Sequence, residues 1–268
     1  MNKALLLSLL AFLFAACSCF GGVAVVGSLA RHHNVQPGET FEGIILLKNT
    51  GAETVEMQIA QNDYLFSADG SNHYEKPATQ PRSNAAWLAV SPSRATVPPQ
   101  GSASIYYQGK VPPDAAVAGT YWSMIMIEPV ATPTPEVRGA KDQISMGLQT
   151  RTRFAVQIVS EIGATGTEEL KVQQKSLVAS EGKTVLQLDI ANTGERMQIP
   201  ALWAELYNAE GISLGRFEGG RWRIYPGCSV RYKVDLTDVP AGKYTAMVVM
   251  DAGGEYVTGA QYSLELAP

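Results

Sequence analysis

Hydrophobic and polar residues alternate along most of the chain, and the longest alternating segment covers residues 144–159. One register of this segment is apolar or β-branched and includes Met146 and Phe154. The other register is mostly polar and includes Arg151 and Arg153. A period of two is typical of a β-strand that buries one face. At roughly 3.3 Å per residue the segment would extend about 50 Å, so we expect a strand that closes one domain and leads into the next.

Shorter alternating segments recur before and after this strand, separated by turn-forming residues. Their spacing is typical of an immunoglobulin-like sandwich, and no alternation of strand and helix patterns is present. The chain has 268 residues, including 25 glycines and 15 prolines, which is enough for two domains of ordinary size. We therefore predict an all-β protein with two tandem immunoglobulin-like β-sandwich domains after an N-terminal signal peptide.

The two halves of the chain share an internal repeat. Asn-Thr-Gly closes an apolar strand at residues 49–51 and again at residues 192–194. Gly-x-Tyr opens a core strand at residues 119–121 and again at residues 242–244, as expected for a tyrosine corner. The first half also contains a polar segment, residues 64–86, that the second half lacks. We expect this segment to be a long loop or an irregular excursion.

A glycine-containing segment at residues 163–167 is the candidate linker between the repeats. It divides the chain into a predicted first immunoglobulin-like domain over residues 23–162 and a second over residues 163–268. Residues 1–22 precede both domains and form the predicted signal peptide.

The N-terminal residues have the pattern of a secretory signal peptide. Lys3 supplies the positive charge, and an apolar segment over residues 4–16 is too short to span a bilayer as an ordinary helix. Residues 14–17, Phe-Ala-Ala-Cys, resemble a lipobox, although Phe14 stands where leucine is usual. Lipidation of Cys17 and ordinary cleavage just beyond it are both open. The expected location is the periplasm or cell envelope, with a lipid at Cys17 as the expected membrane attachment.

Composition and motifs exclude several classes of function. The net charge is −4 with no polybasic run, so a nucleic-acid partner is not expected. Adjacent histidines at His32 and His33 would point to opposite faces of a strand and cannot easily share a metal ion. Cys228 is expected to be a small buried residue at the start of a strand. No nucleophile, phosphate-loop or metal motif is present, so we predict neither an enzyme nor a cofactor.

Two further groups of residues, the tryptophans and three arginines, have an ordinary structural explanation. The tryptophans suit sandwich cores, with a sugar-binding role for an exposed Trp122 or Trp222 as the alternative. Arg221, Arg223 and Arg231 are expected to face water on a strand.

Residues 148–154, LQTRTRF, resemble the last strand of the first domain in the periplasmic pilus chaperones. That family has two immunoglobulin-like domains set in an L. Arg153 looks like the basic residue at the end of the family's strand, and Arg31 looks like its other cleft cation. The resemblance implies that these two residues anchor the C-terminal carboxylate of a subunit. It also implies that the apolar face of the strand fills the groove of a subunit lacking its own final strand, through Ile144, Met146, Leu148 and Thr150.

The expected function is therefore that of an exported chaperone-like protein, which binds pilus-like or surface subunits by β-strand donation. The alternative is a non-enzymatic structural or adhesive envelope module, or lipoprotein, that binds another surface protein.

Overall fold

The computed structural model describes residues 22–114, 116–130, 151–254 and 256–267. These residues form β-strands and a single 3₁₀ turn at Ala85–Trp87, which confirms the prediction of an all-β protein. Across the same ranges, no helical segment has the length and hydropathy of a membrane span. The strands are β1 (Val23–Val26), β2 (Ala30–Val35), β3 (Thr40–Asn49), β4 (Val55–Phe66), β5 (Asn72–Glu75), β6 (Leu88–Ser91), β7 (Arg94–Val97), β8 (Ser102–Lys110), β9 (Gly119–Pro129), β10 (Phe154–Ile162), β11 (Leu170–Ser180), β12 (Lys183–Asn192), β13 (Ala201–Tyr207), β14 (Ser213–Arg221), β15 (Ser229–Asp235), β16 (Gly242–Asp251) and β17 (Val257–Leu266).

The strands form four sheets, two from each half of the chain. In the first half, β1–β3–β8–β6 faces β2–β10–β9–β4–β5, and β7 also pairs with β4. In the second half, β11–β12–β15 faces β14–β13–β16–β17. Two sheets packed face to face around an apolar interior form a β-sandwich. The prediction of two tandem sandwiches is therefore confirmed.

Each sandwich encloses its own apolar core. The first core contains inward-facing residues of both sheets, such as Ile45, Ile105, Ile125 and Ile158, which are all fully buried. Their neighbours along each strand point outward, which is the period-two pattern visible in the sequence. Val156 and Ile158, from the apolar register of the long alternating segment, therefore lie inside the first sandwich, whereas Thr152 of the same register is exposed before β10 begins.

The second core also receives residues from the first half. Trp122 on β9 and Val159 on β10 belong to the same buried cluster as Leu186 and Val248 of the second sandwich. The Trp122 ring stacks on the Tyr225 ring with a centroid distance of 4.8 Å and an interplanar angle of 15°. The two sandwiches therefore share apolar packing at their junction.

The Asn-Thr-Gly repeat has the same structural role in both halves. Asn49 and Asn192 are both fully buried, and the side-chain oxygen of each accepts a hydrogen bond from the backbone N–H two residues later. The side-chain NH₂ groups donate to backbone carbonyls, for Asn49 those of Glu53 and Val97. Each asparagine thus satisfies the backbone of a turn at the end of a core strand.

The second Gly-x-Tyr motif forms the expected tyrosine corner. The Tyr244 hydroxyl donates to the Pro240 carbonyl at 2.9 Å. In the first half, Tyr121 instead packs against Trp87, with ring centroids 4.6 Å apart.

The polar segment 64–86 is more ordered than we expected from its sequence. β4 continues to Phe66 and pairs with β5, so the segment begins as a hairpin. Asp63 is buried, and its carboxylate accepts hydrogen bonds from the backbone N–H groups of residues 78–80, where the chain comes back toward β4. Such long-range anchoring has no signature in the local alternation of the sequence.

The described part of the long alternating segment is shorter than the predicted strand. β10 begins at Phe154, and residues 151–153 precede it without belonging to a strand. The predicted donor residues Ile144, Met146, Leu148 and Thr150, like Cys17, lie outside the described residues.

Candidate functional site

Strand β10 has an open edge close to its beginning. It pairs with β9 along its whole length, whereas the parallel strand β2 pairs with it only from Gln157 onward. The Gln157 N–H donates to the Leu29 carbonyl on the β2 side at 2.8 Å. Because N–H groups alternate in direction along a strand, the Ala155 N–H points to the same side. Residues 154–156 thus have no described strand on that side, and the backbone groups of Ala155, which point there, can pair with an added strand.

The two faces of β10 serve different parts of the molecule. Val156 and Ile158 are fully buried in the first core. Gln157 lies on the other face, where its side-chain oxygen accepts a hydrogen bond from the Tyr225 hydroxyl of the second half at 2.8 Å. On the same face Val159 is fully buried in the second core. The register that the sequence presents as polar therefore faces the second sandwich.

A cleft of about 380 Å³ lies between the two halves. Its lining is rich in aromatic side chains and also contains arginine, amide and hydroxyl groups. The lining residues that bear on function are Tyr64, Phe66, Gln157, Trp222, Arg223 and Tyr225. Tyrosine, tryptophan and arginine are the residue types that contribute most to binding at protein interfaces.

Arg223 is the cation that lines this cleft and has unused hydrogen-bonding capacity. Its Nε is buried and has no hydrogen-bond partner within the described ranges. Its guanidinium lies beside the Tyr225 hydroxyl, whose pKa burial raises to about 12, so that the phenol stays neutral at physiological pH. A buried guanidinium N–H without an acceptor is costly, and an incoming carboxylate would satisfy it.

Arg153 lies at the outer rim of the same region. Its side chain is 62% exposed and its Nη1 donates to the Glu128 carboxylate at 3.3 Å. The guanidinium also lies 5.9 Å from the centre of the Tyr74 ring. Tyr74, Tyr64 and Phe66 follow one another with centroid distances of 5.1 and 5.7 Å, and they form an aromatic row between Arg153 and the cleft. An exposed surface ion pair of this kind leaves Arg153 available to a partner.

Arg31 does not converge with Arg153, although the resemblance had paired them. Arg31 is in register with Ile158, five residues from Arg153, which corresponds to about 16 Å along the strand. It also shares the inner face of the sheet with Ile158, and its Nη2 donates to the Val26 carbonyl at 3.3 Å. The Arg31 guanidinium therefore lies at the turn after β1 and is not among the residues that line the cleft, although its Nε is also buried without a hydrogen-bond partner within the described ranges.

The histidines occupy opposite faces of β2, as the alternation predicts. His32 contacts the Glu161 carboxylate at 3.0 Å, whereas His33 contacts the Tyr107 hydroxyl at 3.0 Å on the inner face. Burial, and to a smaller extent the neighbouring His32, lowers the pKa of His33, so its imidazole is held neutral. Within the described residues, no group of three or more possible metal ligands is present.

The expectations that Cys228 is buried and that Trp122 belongs to a core are confirmed, whereas the expectation for Arg231 requires correction. Cys228 is fully buried just before β15, and burial raises its thiol pKa to about 11. Trp122 is only 4% exposed because it packs in the second core, so it cannot stack on a sugar. Arg231 is held by Asp189 through two hydrogen bonds of 2.7 and 2.8 Å, and it does not simply face water.

Sequence reasoning assigned Arg223 to a water-facing position on a strand, but the residue does not belong to a strand. Trp222 and Arg223 follow the end of β14 in a segment without regular alternation. The rule that alternate residues face water therefore does not apply to them. The only sequence signal was the adjacent tryptophan, which is 55% exposed at the rim of the cleft.

Comparison with known proteins finds similarity at the level of the fold. No family model matches the sequence, and no curated protein matches it. The fold is similar to that of periplasmic pilus chaperones. The class 5 fimbriae chaperone CfaA matches over 92% of this chain and 100% of its own, with 12% identity and a TM-score of 0.46. A chain from the chaperone–tip adhesin complex of CFA/I fimbriae has the same coverage and identity with a TM-score of 0.48.

A third similar structure is the E. coli chaperone DraB. It matches over 92% of this chain and 97% of its own, with 15% identity and a TM-score of 0.40. At these identities the similarity concerns the fold, and the argument for function rests on the edge of β10 and on the cleft.

Proposed function

We propose that this chain is an exported chaperone-like protein that binds pilus-like or surface subunits by strand addition at the open edge of β10. The observation that carries the proposal is the register of this strand. β9 covers one side of β10 throughout, but β2 covers the other side only from Gln157. Ala155, whose backbone groups point to the uncovered side, is followed toward the N-terminus by residues 144–153, which the proposal assigns to pairing with the subunit. Backbone hydrogen bonds would supply affinity, and alternate side chains would supply fit.

In this proposal the cleft binds the terminal carboxylate of the bound subunit. An arginine binds a carboxylate through two parallel charge-assisted hydrogen bonds. Arg223 has a buried Nε without a partner in the described residues, and Arg153 is exposed at the rim. We therefore assign the anchor to Arg153 together with Arg223. Arg31 also has a buried Nε without a partner in the described residues, but it lies at the turn after β1 and not among the residues that line the cleft, so the proposed anchor does not use it.

The signal-peptide pattern of residues 1–22 supports export to the periplasm or cell envelope. An acyl chain at Cys17 would attach the protein to the membrane if cleavage occurs before that residue. In either case the proposed partners are other exported proteins that lack one strand of their own fold.

The first prediction concerns the backbone of the open edge. Ala155→Pro removes the N–H that points away from β9, so we expect it to weaken strand addition at least about tenfold while the β9 ladder persists. Ala155→Thr is the matched control, because it keeps the N–H and suits a strand. Binding is measured by fluorescence anisotropy with labelled peptides of about ten residues that alternate apolar and polar side chains.

The proposal fails if the wild-type chain binds none of a panel of such peptides, or if Ala155→Pro binds them as tightly as Ala155→Thr. Thermal unfolding of both variants shows whether the fold is retained. A proline variant with an unchanged melting temperature and lost binding supports a role for the edge itself.

The anchor is tested in the same assay with peptides that end in a free carboxylate or in an amide. We expect the wild type to prefer the free acid, because a neutral amide has one acceptor oxygen and no charge and so cannot form a bidentate ion pair with an arginine. Arg223→Gln and Arg153→Ala should each reduce that preference. An equal affinity of the wild type for both peptides would exclude the carboxylate anchor but leave strand addition intact.

A further inference from the structure

The outer face of the sheet β1–β3–β8–β6 carries a cluster of exposed apolar side chains, which we call the outer patch. It consists of Val26, Ile44, Leu46 and Tyr106, which are 43%, 55%, 38% and 56% exposed. The strand register brings them together, since Ile44 is opposite Tyr106 and Leu46 is opposite Val26. The outward face of a one-sided antiparallel sheet is usually polar, so adjoining apolar residues there indicate an interaction surface.

Two exposed charges of opposite sign flank the outer patch along β3. Glu42 precedes Ile44 and Lys48 follows Leu46, and the spacing of two places all four side chains on the same face. In the part of the chain that the structure describes, neither Glu42 nor Lys48 takes part in an ion pair. The strand therefore presents the order acidic, apolar, apolar, basic.

We propose that the outer patch is the interface of a symmetric dimer with a second copy of this chain. A two-fold axis that crosses the strands between Ile44 and Leu46 lays β3 of one copy on β3 of the other in the reverse direction. Glu42 of each copy then faces Lys48 of the other, and the apolar residues between them cover one another. This order of charges is complementary to itself, which is what an isologous interface requires.

The rest of the face is compatible with the same axis. Lys110 is the other exposed cation on this face, at the end of β8. The axis places Lys110 of one copy over the opposite end of β8 in the second copy, near Ser102. Lys110 therefore meets no charge of the same sign there. The two sheets would pack at about 10 Å with nearly aligned strands, as in a β-sandwich.

The dimensions of the patch determine the strength of the dimer. A face about 30 Å long and about 15 Å wide covers on the order of 450 Å² on each copy. This is below the roughly 800 Å² per partner of a standard stable interface. We therefore expect a reversible dimer that dissociates on dilution.

The dimer leaves the proposed subunit-binding edge accessible. β10 belongs to the other sheet of the first sandwich, and none of its residues is in the outer patch. The dimer proposal therefore does not depend on strand addition, and either proposal can fail without the other.

The test is analytical ultracentrifugation of the exported protein over a wide concentration range, with charge reversals at the two ends of the patch. The wild type should shift from monomer to dimer as its concentration rises. Glu42→Lys and Lys48→Glu should each weaken the dimer roughly tenfold or more. The two-fold axis repeats each contact, so either substitution brings two pairs of like charges together in the dimer. The double variant Glu42→Lys/Lys48→Glu should restore dimerisation, since it exchanges the two charges.

Glu56→Lys is the control for Glu42→Lys, because Glu56 is exposed on β4 in the other sheet and its replacement makes the same change in net charge. A wild type that stays monomeric at all concentrations overturns the proposal. So does a double variant that remains as weak as the single variants. Binding of the monomer to lipid vesicles through Ile44 and Tyr106 would assign the patch to a membrane surface and would also overturn it.

Discussion

At the scale of single residues, Asp63 organises the excursion between β4 and the 3₁₀ turn. Its carboxylate is only 1% exposed, and the backbone N–H groups of Thr79 and Gln80 each donate to it at 2.8 Å. The Ala78 N–H and the Ser83 hydroxyl donate to its other oxygen. Hydrogen bonds to an ionised carboxylate are stronger than those between neutral groups and offset the cost of burying the charge.

We predict that Asp63→Asn lowers the free energy of unfolding by about 2 kcal/mol, because the amide turns an NH₂ group toward backbone donors that then lack an acceptor. Urea denaturation measures the change. Asp69→Asn is the control, since Asp69 carries the same charge on the same excursion but is fully exposed. Equal losses in the two variants would contradict the role given to Asp63.

At the scale of elements, the paired strands β3 and β8 each contribute one glycine that lies under an aromatic ring of the other strand. Gly43 is opposite Tyr107, and Phe41 is opposite Gly109. A Cβ atom at Gly43 would lie 2.2 Å from the Tyr107 hydroxyl oxygen, so only glycine leaves room for this ring. The ring position in turn allows the Tyr107 hydroxyl to reach His33. The glycines therefore leave room for the Tyr107 and Phe41 rings to lie across the ladder of β3 and β8.

The corresponding prediction is that Gly43→Ala destabilises the protein by about 1–3 kcal/mol through overpacking against Tyr107. Because the cause is the ring, the same substitution should cost clearly less in a Tyr107→Leu background. A double-mutant cycle followed by chemical denaturation measures this coupling. If the two substitutions are additive, the ring does not explain the glycine.

At the scale of the whole molecule, the two sandwiches meet through close contacts. The Arg82 guanidinium donates to the Glu195 carboxylate at 2.8 Å, and Trp122 stacks on Tyr225. Gly119 has a φ of +78°, and a Cβ atom there would lie 2.3 Å from the Glu195 carbonyl oxygen.

We predict that Gly119→Ala uncouples the sandwiches, because its methyl group forces Glu195 away from β9. Calorimetry should then show two unfolding transitions in place of one. Gly182→Ala is a matched control, since Gly182 has a similar φ of +74° but no atom within 4 Å of the added Cβ. The control should lose about 1–2 kcal/mol from backbone strain without a second transition. Two transitions in both variants, or one in both, would contradict the prediction.

The sequence by itself determined the all-β class, the two sandwiches and the repeated turns. These features depend on a period of two and on asparagine and glycine at fixed offsets, and such signals are read within a few neighbouring residues. The tyrosine corner at Tyr244 and the buried Asn192 were therefore predictable from motifs alone.

Only the tertiary structure decided which side chains meet. The direction of Arg31 follows from the register of β2 on β10, and Trp122 is buried because the second sandwich packs against it. The cleft at Arg223 forms from segments that are distant in sequence, and Arg223 itself stands outside the strands. Alternation indicates which face a side chain occupies, but not which other strand or domain covers that face.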